Sequence, residues 1–137
     1  MKISIIYYSM TGHSKKIANA IAGELSIEAY NVKNHPVIKD VDLLFIVGGI
    51  YGGVSHPNLI EFVETLKVED VKKVALITSC CGGVTPQKEV RTILNKNNIE
   101  VIDNEYICRG NFLFFGMGHP NKKEIEAAVN FAKSLGL

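Results

Sequence analysis

Ser9-Met10-Thr11-Gly12-His13-Ser14 joins a strand-like run, Ile3-Ser4-Ile5-Ile6-Tyr7-Tyr8, to a helix-like pattern. Four of its six residues are glycine or carry a hydroxyl, and no acid occurs before Glu24. A strand that ends in such residues at a helix start is suited to an anion. The free N–H groups of the first helical turn point at the ligand, and the helix dipole favours negative charge there. Ser9, Thr11 and Ser14 add hydroxyl donors. One N-cap would account for one hydroxyl, not for three around a glycine. The stretch therefore reads as a phosphate loop.

Strands and helices alternate outward from it. Ile17, Ala18, Ile21, Ala22 and Leu25 line one helical face, and Ser26 to Val32 is a short second strand. Leu43 to Val47 is a continuous apolar run, as expected of a strand covered on both faces. A glycine-rich loop follows, Gly48-Gly49-Ile50-Tyr51-Gly52-Gly53. Pro57 opens a helix with Leu59, Phe62, Val63 and Leu66 inward. Val74 to Thr78 is the fourth strand, Ser79-Cys80-Cys81-Gly82-Gly83 the next loop, and Pro86 starts the next helix. Ile99 to Ile107 holds the fifth strand, and the last helix runs from about Asn121 to Leu135. The link from strand two to strand three, Asn31 to Asp40, is polar and contains Pro36; it offers a short or irregular helix at best. This alternation predicts one α/β domain, residues 1–137, with a doubly wound five-stranded parallel sheet and helices on both faces.

Composition narrows the function. At 47% hydrophobic residues the chain is globular, and a net charge of +1 gives no electrostatic case for nucleic acid. No apolar run approaches the roughly 18 residues of a membrane span. Met1-Lys2 leads directly into a strand with no cleavage pattern, so the expected location is cytoplasmic. Cys80, Cys81 and Cys108 form neither a disulfide framework nor a zinc-type pair and read as reduced thiols. His56 and His119 lack the companion spacing of a metal site, so no metal is expected. Neither GxGxxG after the first strand nor GxxxxGK[ST] is present.

In an open parallel sheet, ligands bind outside the carboxyl ends of the strands where the order reverses. The three loops at Ser9, Gly48 and Ser79 leave such ends. Tyr51 sits among glycines, placed to stack on an aromatic ring. At this point the chain resembles the flavodoxins: Tyr8-Ser9-Met10-Thr11-Gly12-His13-Ser14 is similar to their T/S-x-T-G-x-T phosphate loop, with serine in the last place. The resemblance covers essentially the whole chain. It implies strand order 2-1-3-4-5 and one non-covalently bound FMN. Ser9, Met10, Thr11, Gly12, His13 and Ser14 then hold the monophosphate. Ile50, Tyr51, Gly52 and Gly53 match the loop whose aromatic stacks on the isoalloxazine, with Gly52 near flavin N5. Ser79, Cys80, Cys81, Gly82 and Gly83 match the second isoalloxazine loop.

Two departures from the family pattern shape the functional expectation. Ser79 to Gln87 holds no aromatic, where flavodoxins usually have one, and 15 basic residues balance 14 acidic ones in a family whose carriers are usually acidic. The expected role is an FMN-binding flavoprotein that passes electrons between redox partner proteins, with no side chain required as a catalytic acid, base or nucleophile. The alternatives are a small FMN-dependent reductase of a quinone or similar acceptor, which the missing aromatic favours by leaving one flavin face open, and a flavin-free interaction module on the same fold. Oligomeric state is not legible in the sequence.

Overall fold

The computed structural model describes residues 1–10, 12–51, 54–81, 86–110 and 122–135. In chain order the elements are β1 (Ile3–Tyr7), α1 (His13–Glu24), β2 (Ala29–Asn31), a 3₁₀ turn (Val32–Asn34), β3 (Leu43–Tyr51), β4 (Val54–Ser55), α2 (Pro57–Glu64), β5 (Lys73–Cys81), α3 (Lys88–Lys96), β6 (Glu100–Val101), β7 (Tyr106–Gly110) and α4 (Lys122–Lys133). The sheet order is β2-β1-β3-β5-β6, with β7 also on β5 and β4 on β3. Every pairing is parallel except β3 with β4. If β4 is set aside and β6 and β7 are taken as one interrupted strand, this is the expected 2-1-3-4-5 order of a doubly wound α/β sheet.

Period-2 alternation sends each strand's side chains to two different cores. Ile5, Tyr7, Phe45, Val47, Ala75 and Ile77 pack beneath Ile17, Ala18 and Ile21 of α1 and Ala128 and Ala132 of α4. Ile6, Leu44, Ile46, Val74 and Leu76 face Leu59 and Val63 of α2 and Val90 and Leu94 of α3. This explains the unbroken apolar run at the start of β3: both of its faces are covered, and Leu44, Phe45, Ile46 and Val47 are fully buried.

Four expectations need correction. Among the described residues the sheet has seven strands where five were expected, and the short strand β4 is antiparallel. The second strand is only three residues long; Ser26 instead takes a positive φ of 56° at the end of the α1 turn. Gly48, Gly49, Ile50 and Tyr51 are not loop residues but the last four of β3, and Ser79, Cys80 and Cys81 likewise end β5. The glycines permit close packing there rather than a turn. A Cβ on Gly48 would lie 2.6 Å from Leu59 Cδ2 and 3.0 Å from Gln87 Oε1.

The fifth strand is interrupted for a reason visible in the register. Val74 pairs with Val101 and Ile77 with Tyr106, so three steps along β5 are matched by five on the partner. The two extra residues bulge out of the ladder, and the bulge delivers Glu105 to the interior. The polar link after β2 makes only the 3₁₀ turn, as its proline and polarity predict.

Candidate functional site

Strands β1, β3 and β5 are neighbours and end on the same side of the sheet. Their ends are staggered. Tyr7 lies opposite Val47, which lies opposite Ile77, so β3 and β5 each run four residues past β1. At about 3.3 Å per residue they project roughly 13 Å beyond it. The step has the Ser9–Ser14 stretch at its foot and Ile50, Tyr51, Cys80 and Cys81 at its rim. It suits an elongated ligand, with an anionic end at the helix start and a flat end against the strand tips.

The foot of the step is built around Gly12. Its φ of +91° is a conformation that costs other residues and not glycine. Its N–H donates to Ser9 Oγ at 2.8 Å, which leaves the Ser9 hydroxyl proton unspent in that bond. Gly12 is also the N-cap of α1; among the described residues no side chain caps that helix, and its first turn holds no acid. Ser14, in the first turn, is 1% exposed, and its Oγ has no hydrogen-bond partner among the described residues. A buried hydroxyl without a partner is costly, so a ligand oxygen placed there supplies what the protein leaves out. His13 lies in the same turn, 9% exposed rather than on the surface. Burial, and then the neighbouring Lys16 charge, push its pKa below the ordinary histidine value. Met10 is 59% exposed beside them. These observations fit a phosphate group.

At the rim, Ile50 and Ser79 are buried, Ile50 pairs with Cys80, and Tyr51 pairs with Val54 across the hairpin. Thr11, Gly52, Gly53, Gly82 and Gly83 lie outside the described residues, as do the side chains of Tyr51, Cys80 and Cys81 and the apolar run Phe112-Leu113-Phe114-Phe115, which in the sequence reads as a cover for the sheet end or a contact patch.

Beside the site the structure gives His56 a helix-start role and adds Gln87, which sequence reasoning passed over. His56 stacks on Tyr8, ring centroids 4.3 Å apart, and its Nδ1 accepts from the Asn58 N–H at 3.0 Å. It is thus the N-cap of α2, with Pro57 in the first turn. In the sequence, Gly53-Val54-Ser55-His56-Pro57-Asn58 and Gly116-Met117-Gly118-His119-Pro120-Asn121 share a Gly-x-x-His-Pro-Asn pattern before a helix-like stretch, which reads as shared helix-start chemistry, and at His56 the geometry agrees. Gln87, the N-cap of α3, is fully buried. Its Nε2 donates to Ile77 O at 3.0 Å and to Thr78 Oγ1 at 3.1 Å, with Ile46 O further off at 3.4 Å. A groove of about 550 Å³ between the 3₁₀ turn and α2, lined by Val32, Lys33, His35 and Phe62 among others, contains none of the sequence-predicted site residues.

The same fold recurs in known proteins. A family model described as a flavodoxin domain matches residues 4–133. An uncharacterized protein of Methanocaldococcus jannaschii is 34% identical, with 98% of each chain aligned. Among solved structures, a short-chain flavodoxin associated with a bacterial microcompartment superposes with a TM-score of 0.72 at 16% identity, covering 98% of this chain and 97% of that one. The oxidised Flavodoxin 2 of Bacillus cereus does so with a TM-score of 0.69, also at 16% identity and with the same coverage. With the family model spanning nearly the whole sequence and the fold shared end to end, the chain belongs to the flavodoxin family.

Proposed function

We infer that this protein binds FMN and carries electrons between redox partner proteins, in the cytoplasm. The observation that carries the reading is the buried, unpartnered Ser14 hydroxyl at an uncapped helix start that holds no acid. The hydroxyls of Ser9 and Ser14 would hold the phosphate together with Thr11. Ile50, Tyr51 and Ser79 to Gly83 would line the ring. When bound, FMN supplies one- and two-electron redox chemistry; the chain's part is to bind and orient it and to limit water at its edge. No side chain of the site is needed as an acid, base or nucleophile.

The test separates the phosphate from the ring. Ser14→Ala removes a hydroxyl that has no protein partner, so the apoprotein keeps its stability or gains some. FMN affinity falls about tenfold or more, the loss expected for a hydrogen bond to a charged group. Riboflavin, which lacks the phosphate, binds Ser14→Ala as it binds the wild type. Titrating both flavins into apoprotein by fluorescence quenching reads all of this. Equal losses for the two flavins would remove the phosphate assignment. A wild-type protein that binds neither would leave the flavin-free interaction module.

A second reading is favoured by one observation, the lack of any aromatic from Ser79 to Gln87. An open flavin face would admit a quinone or similar acceptor, making the protein a small FMN-dependent reductase. Steady turnover of such an acceptor with NAD(P)H distinguishes the two.

A further inference from the structure

The chain leaves the sheet for Ser9 at Tyr8, and Tyr8 is held in two ways. Its backbone N–H donates to Val47 O at 3.2 Å, one residue past the end of β1. Its ring belongs to the core that contains Val32 and Leu59, and the residue is 8% exposed. His56 lies against that ring, with centroids 4.3 Å apart and planes 28° from parallel. His56 comes from another part of the fold. It follows Ser55 of β4 and starts α2, where its Nδ1 accepts from the Asn58 N–H at 3.0 Å. One side chain thus joins the start of α2 to the residue before Ser9. Ser9 Oγ in turn accepts from the Gly12 N–H at 2.8 Å, so the placing of Tyr8 bears on where the Ser9 hydroxyl stands.

We propose that His56 is a positioning residue for the phosphate group: its ring pins Tyr8 and so fixes the direction in which the chain leaves β1 for Ser9. The proposal rests on the FMN reading given above for the identity of its ligand. Capping alone needs no aromatic ring, since Asn, Asp, Ser or Thr caps a helix with less bulk. What the cap does not explain is the ring laid on Tyr8. With Tyr8 pinned, the Ser9 hydroxyl has less freedom to lose when an anion binds, and the affinity gains by that saving. The flavin ring would lie against the tips of β3 and β5, which run four residues past β1, and is indifferent to the stack.

The experiment compares wild type, His56→Asn and His56→Phe with FMN, riboflavin and inorganic phosphate as separate probes. Asn keeps an acceptor for the cap and loses the ring; Phe keeps a ring and loses the acceptor. His56→Asn is expected to weaken FMN and inorganic phosphate about fivefold, the order of one aromatic pair, and to leave riboflavin at its wild-type affinity. His56→Phe keeps all three affinities, while its urea midpoint falls through the lost cap. Fluorescence quenching reads the flavins and calorimetry the phosphate. Affinity that follows the cap instead, lost in His56→Phe and kept in His56→Asn, overturns the proposal. So does equal weakening of riboflavin in His56→Asn, since that is general loss of stability. If His56→Phe fails to fold, Tyr8→Leu removes the other ring of the stack. Adding His56→Asn to Tyr8→Leu should then weaken FMN no further, and additive losses would overturn the pairing. If the wild type binds neither flavin the FMN reading fails, and phosphate binding by wild type and His56→Asn still decides whether His56 orders the turn. A wild type that binds no phosphate overturns it.

Discussion

His13 ties the site to pH through its own burial. In the folded protein, desolvation and the Lys16 charge hold its pKa below the ordinary 6.5. The unfolded chain therefore takes up a proton at a pH where the folded chain still resists it. Stability carried by neutral His13 is complete above about pH 6.5 and is lost as pH falls from there toward the lower folded value. His13→Asn, which cannot titrate, should lose less stability than wild type between pH 7.5 and pH 5.5. The difference between the two proteins' urea midpoints at each pH isolates this residue from the other histidines. An identical pH dependence would mean that His13 titrates alike folded and unfolded. At the same scale, Ser14 would cost the empty protein something and serve the loaded one if it holds the phosphate as proposed.

Within β3, the chemistry turns on Gly48. The atoms a new Cβ would meet are side-chain ends, which ordinarily give way, but neither is free here. Leu59 is 1% exposed in the α2–α3 core, and Gln87 is pinned through Nε2. Gly48→Ala should therefore destabilise by roughly 1–3 kcal/mol, the usual cost of overpacking a filled core. It should also disturb α3 through Gln87, visible as faster amide exchange at the helix start. A thermal melt indistinguishable from wild type would show that the core has slack there.

This glycine also shows where sequence reading stops. The apolar run from Leu43 announces a buried strand because both faces are covered, a local signal. Gly48 and Gly49 locally read as a turn, yet they continue the strand, since what they permit is the approach of residues far along the chain. The Ser9–Ser14 stretch reads as a unit for the opposite reason: Ser9, Gly12 and Ser14 lie within one turn of one another. The hydrogen bonds that Glu105 accepts from Thr78 and from the Gln87 N–H were not legible. They depend on a two-residue bulge against β5, and that register is settled only by the assembled sheet.

For the molecule as a whole, charge is balanced in number and also paired in space. Lys72 meets Asp42 at 3.2 Å and Lys73 meets Glu100 at 3.2 Å, while Lys133 pairs with Glu24. Such exposed pairs add little stability, and they offset three of the fourteen acids. Around the step that forms the candidate site, the exposed groups are of another kind. Met10 is 59% and Val54 51% exposed, and Lys15 and Lys16 stand in the open just after the phosphate turn. Glu61 and Glu64 are exposed on α2, and Glu61 lines the separate groove beside Lys33. A redox partner approaching the flavin edge would thus meet an apolar and weakly charged surface. Long-range attraction speeds encounter only where one sign of charge dominates a face, and salt removes it by shortening the screening length to about 8 Å at 0.15 M. Electron transfer with the natural partner should accordingly change only mildly with ionic strength. Second-order rates by stopped flow from low to high salt supply the measurement. A steep fall with added salt would reveal a strongly charged docking face and would move the partner's footprint away from Met10 and Val54.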